Sequence, residues 1–153
     1  MIRLILPVTI CIALPWGASA DTTCENIPNS SDNCVRTVAC VGDQGLYFDG
    51  QARGWNEGAV TGQISDGVTC TGTWTSDGPM GAGIAKMTCE DGTDIRVLYH
   101  TQDNETGTVI GRGTDTRGRN IQVWSGTNVL AFLTKDGAVG PALPCTSGPI
   151  PMS

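Results

Sequence analysis

Nucleophilic catalysis of the Ser-His-Asp or Cys-His kind needs an imidazole, and this chain has one histidine, His100. It follows Tyr99 at the end of an alternating stretch, and no Gly-x-Ser-x-Gly turn is present to expose a serine. His100 therefore reads as a surface residue. Glu57, Glu90, Asp91, Asp94 and Glu105 supply carboxylates for glycoside cleavage, but no spacing singles out a pair, and each also suits a turn or a solvated strand position. Asp103-Asn104-Glu105 and Glu90-Asp91-Gly92-Thr93-Asp94 offer hard oxygen ligands without the spacing of an EF-hand loop. Gly111-Arg112-Gly113 lacks the lysine of a phosphate loop. The expectation is a chain without catalytic residues, metal or cofactor. Arg112, Arg117 and Arg119 form the one basic concentration, set around a turn where they suit either an anionic partner or a solvated hairpin tip.

The remaining reactive side chains are seven cysteines, and their count depends on what the first twenty residues are. Arg3, the apolar run from Leu4 to Leu14 and Ala18-Ser19-Ala20 have the order of a secretory signal, with cleavage expected before Asp21. Its removal takes Cys11 and leaves Cys24, Cys34, Cys40, Cys70, Cys89 and Cys145, an even set in an exported chain. No Cys-x-x-Cys pair favours zinc instead. Loss of Arg3 also leaves eight basic residues against fifteen acidic ones, a net charge of −7, which argues against nucleic acid as a partner. No stretch after the signal is long and apolar enough for a transmembrane helix. The expected organisation is a signal at 1–20, one disulfide-bonded domain at 21–145 and a Pro-containing tail at 146–153.

The elements that position these residues emerge from a repeat. Trp74, Tyr99 and Trp124 stand 25 residues apart, and the turn dipeptides Asp66-Gly67 and Asp91-Gly92 keep the same interval, followed by Arg117-Gly118. Between them, period-two stretches such as Val60, Gly62, Ile64 and Ile95, Val97, Tyr99 mark strands with one buried face. Asp-Gly between two such stretches is a hairpin signal. An earlier partial copy runs from Leu46 to Trp55, preceded by a strand at Val35 to Val41. The fold class expected is all-β, an antiparallel meander of tandem hairpins with a repeat of about 25 residues, either an open twisted sheet or a closed barrel. Cys70 and Cys89 lie symmetrically about the turn at Asp77 to Gly81, which places them opposite each other on adjacent strands. Cys24 with Cys34 and Cys40 with Cys145 are the pairings favoured for the rest. Val129, Leu130, Phe132 and Leu133 are expected to cover one face or end of the sheet.

Cys70-Thr71-Gly72-Thr73-Trp74, Asp77-Gly78, Gly81, Gly83 and Asp91-Gly92 resemble the MORN repeat over about residues 45 to 126. Cys70 stands where that pattern has an aromatic residue, and the period here is slightly longer. The resemblance implies single-layer sheets of hairpins that bind or scaffold proteins and lipids. Thr88-Cys89-Glu90-Asp91-Gly92, followed by Ile95, Val97 and Tyr99, is similar to a strand of exported β-barrel inhibitors of C-type lysozyme. The inhibitory loop of that family is not identifiable here.

Together these readings give a secreted or periplasmic, non-catalytic module that binds a protein, lipid or glycan at the cell envelope. A small secreted inhibitor or hydrolase is the alternative. If the sheet is open, Trp55, Trp74, Tyr99 and Trp124 are its natural contact surface; if it closes, they become core.

Overall fold

The computed structural model describes residues 23–127, 129, 134–135 and 138–139. Eight strands follow one another in chain order: β1 (Cys34–Val41), β2 (Leu46–Trp55), β3 (Glu57–Ile64), β4 (Thr69–Thr75), β5 (Gly83–Cys89), β6 (Asp94–Asp103), β7 (Thr108–Asp115) and β8 (Asn120–Ser125). Each pairs antiparallel with the next, and β8 pairs back to β1 from Thr37↔Ser125 to Val41↔Ile121, so the meander closes into a barrel. Closure removes both sheet edges, and with them the flat face that an open sheet would present. A separate two-stranded sheet joins β9 (Thr134–Lys135) and β10 (Ala138–Val139).

The hairpin repeat has a physical basis in its turns. At the β3–β4, β5–β6 and β7–β8 connections an aspartate accepts the backbone N–H two residues on: Asp66 from Val68 (3.3 Å), Asp91 from Thr93 (3.0 Å) and Asp115 from Arg117 (2.9 Å). A glycine at positive φ then completes each turn, Gly67 at 97°, Gly92 at 78° and Gly118 at 77°. These turns lie at one end of the barrel. Above them Val41, Ile64, Ile95, Ile121 and the Cys70–Cys89 disulfide fill the interior. The side chain of Asp115 is fully buried there, where it accepts from the Arg117 and Arg119 amides and from Arg119 Nε at 2.6 Å. Arg117 reaches Asp91 of the neighbouring turn at 2.7 Å. This end is closed.

The disulfides join Cys24 to Cys34 and Cys70 to Cys89, the latter on directly opposed positions of β4 and β5. Cys40 is also disulfide-bonded; Cys145, the partner expected for it, lies outside the described residues. Such bonds place the chain in an oxidising, non-cytoplasmic compartment. Among the described residues no helix is long and apolar enough to cross a membrane.

A second apolar cluster lies on the outside of the wall. Val38, Cys40 and Trp124 point outward from β1 and β8, and Val129 packs on them at 1% exposure. The chain after β8 thus covers one outer face at Val129, while Leu130, Phe132 and Leu133 lie outside the described residues.

Candidate functional site

The alternation that buries one face of each strand sends a defined set of side chains into the barrel: Val35, Thr37 and Ala39 from β1, Phe48 and Ala52 from β2, Val60 from β3, Trp74 from β4, Ala85 and Met87 from β5, Val97 and Tyr99 from β6, and Val109 and Val123 from β7 and β8. They do not fill it. A cavity of about 120 Å³ remains, floored by Val41, Phe48, Ile95 and Ile121. It runs towards the end opposite the tight turns, where Asn33, Asn56, Ser76, Thr101, Asn104 and Ser125 form a polar rim beside Trp55.

Glycine sets the shape of this interior. The Phe48 ring lies over Gly50 and Gly62, whose missing Cβ atoms would sit 2.6 and 2.5 Å from its Cζ. The Tyr99 ring lies over Gly83, with a Cβ there only 2.2 Å away. The Phe48 and Tyr99 rings are thus accommodated by absent side chains on their own or a neighbouring strand, the large-and-small matching by which a small barrel tapers. Trp74 is oriented by a hydrogen bond from its Nε1 to the Arg53 carbonyl at 3.2 Å. The rim is held by Asn33, which accepts from the Ile27 amide at 2.8 Å and donates to the Gly54 carbonyl at 3.1 Å. Asn26 Nδ2 ties the segment before β1 to the Glu105 carbonyl of the β6–β7 turn at 2.6 Å.

Two polar atoms inside the barrel stand out. Thr37 Oγ1 and Tyr99 Oη are buried, belong to residues that line the cavity and have no hydrogen-bond partner among the described residues. An unsatisfied buried hydroxyl costs about 1–3 kcal/mol. Burial pushes the Tyr99 phenol above its ordinary value of 10.0; the nearby Ser76 hydroxyl opposes that shift without reaching good hydrogen-bond geometry. Among the described residues no Asp, Glu, His, Lys or Arg lines the cavity.

The expected site residues are distributed as follows. Trp74 and Tyr99 are inside, Trp55 is at the rim, and Trp124 is on the outer wall under Val129. The four therefore do not share one contact face, because Trp124 is one position out of phase with the inward Ile121 and Val123. Arg117 and Arg119 are engaged with Asp91 and Asp115, whereas Arg112 is exposed on the outside of β7. His100 points outward, opposite Ile110 on β7, and is exposed. Among the described residues no group of three or more His, Cys, Asp or Glu is placed to hold a metal ion. Thr37 was not singled out by sequence, since a threonine within Val-Arg-Thr-Val-Ala carries no signal of its own.

No protein-family model matches the chain, and no curated protein matches it. Among solved structures it is similar to a redesigned β barrel, mFAP0, bound to DFHBI, with a TM-score of 0.50 and 16% identity over 63% of this chain and 97% of that one. A second similar structure is a de novo designed fluorescence-activating β barrel, at a TM-score of 0.47 and 17% identity over 61% of this chain and 89% of that one. The first likeness is one of fold.

Proposed function

We propose that this chain is a binding barrel that takes one small, largely apolar molecule into its interior from the polar-rimmed end, acting without catalysis after export through the signal at 1–20. The observation that carries the reading is the cavity of about 120 Å³ between an apolar floor and a polar rim. Protein interiors are normally packed with few voids larger than a water molecule, so an apolar space of this size is an unusual use of a core. An engineered apolar cavity of about 150 Å³ stays dry and binds benzene, so a ring-sized ligand suits the volume here. Eight-stranded barrels are at the size where the interior is either just filled or holds one small ligand. The mFAP0 barrel of similar fold is described as bound to DFHBI, a ligand of that protein.

Calorimetric titration of the oxidised mature chain with toluene tests the reading. Saturable one-to-one binding is expected. Ala85→Leu and Ala39→Leu, each adding methyl groups at the cavity wall, should weaken it at least tenfold while the barrel stays folded by circular dichroism. Failure of both toluene and phenol to bind the unsubstituted chain, or binding indifferent to both fillings, would reject the reading.

A further inference from the structure

We infer that the cavity selects an uncharged molecule with an apolar body no larger than a substituted benzene and one hydroxyl or carbonyl oxygen, held with that oxygen among the buried hydroxyls of Thr37 and Tyr99. The inference rests on the binding-barrel reading and adds the chemical class of its ligand. Neutrality follows from the walls: with no charged side chain among the described residues that line them, an ion entering would lose its water and find no countercharge there. Arg119 pairs with Asp115 and Arg117 with Asp91, both at the closed end.

The single polar group follows from the two unpartnered hydroxyls. Thr37 and Tyr99 are 7% and 5% exposed, on walls separated by β7 and β8. A hydroxyl or carbonyl oxygen on the ligand would give one of them the partner that the described residues do not, and an all-hydrocarbon ligand would leave both unmet. Orientation follows from depth. Phe48, Met87, Ile95 and Ile121 lie on the tight-turn side of the cavity, whereas Thr37 and Tyr99 lie towards the rim, next along their strands to Val35 and Thr101. The apolar end therefore points down.

Three ligands of similar size separate the possibilities: toluene, phenol and benzoate, titrated at neutral pH into the oxidised mature chain. Hydrophobic transfer alone favours toluene over phenol, so phenol binding as tightly as toluene is the expected sign of polar recognition. The double variant T37V/Y99F should then lower phenol affinity about five- to tenfold and leave toluene within twofold, which also shows that its cavity is intact. Benzoate should bind at least tenfold more weakly than phenol. Toluene binding with no preference gained by phenol, a double variant that affects both ligands alike, or benzoate binding on a par with phenol would overturn the inference and leave the binding barrel standing. Failure of both toluene and phenol to bind removes the barrel reading itself, and the inference with it.

Discussion

Tyr99 illustrates how one side chain serves both packing and chemistry. Its ring takes the space left by Gly83, and its hydroxyl is buried without a partner among the described residues. The folded phenol ionises at higher pH than the ordinary 10.0, mainly because burial disfavours the anion. Below that value both folded and unfolded chains hold the proton, and the full stability is present. As pH rises through it the unfolded chain ionises first, and stability falls until the folded phenol also titrates. Thermal unfolding followed between about pH 8 and 12 should show a loss for the unsubstituted chain that is smaller in Tyr99→Phe. Identical alkaline profiles for the two would show that the phenol is not buried as described.

At the scale of elements, the repeat couples a turn to a strand pair. Asp66, Asp91 and Asp115 each fold a turn by accepting an amide two residues ahead, and Cys70–Cys89 then ties β4 to β5 across 19 residues. Replacing both cysteines by serine should lower stability by about 2–4 kcal/mol in denaturant unfolding, since the bond restricts the unfolded chain. A change below about 0.5 kcal/mol would mean that the strand register holds this end without it. Strands, turns and this bond were legible in the sequence because period two, Asp-Gly and a midpoint between cysteines are all local signals. Closure was not, because alternation is the same in an open sheet and a barrel, and the pairing of β1 with β8 joins residues far apart in the chain, such as Val41 and Ile121. The facing of Thr37 and Tyr99 into one space depends on that closure, so the cavity was hidden while its strands were visible. The phase of Trp124, an odd number of positions from both Ile121 and Val123, was a readable sign that it leaves the aromatic set.

At the scale of the molecule, one end of the barrel is sealed by disulfide, isoleucines and a buried aspartate, and the other is polar-rimmed above an apolar hollow. Methyl resonances of methionine report on this asymmetry directly, because Met87 lines the cavity and Met80, fully exposed in the short 3₁₀ turn Pro79–Gly81, does not. In a titration of methyl-¹³C-methionine-labelled chain with phenol, ring currents from a bound aromatic should shift the Met87 methyl saturably and leave Met80 unmoved. A Met87 methyl that stays in place as phenol is raised to the millimolar range, or a shift confined to Met80, would contradict the claim that the interior of this barrel is its binding site.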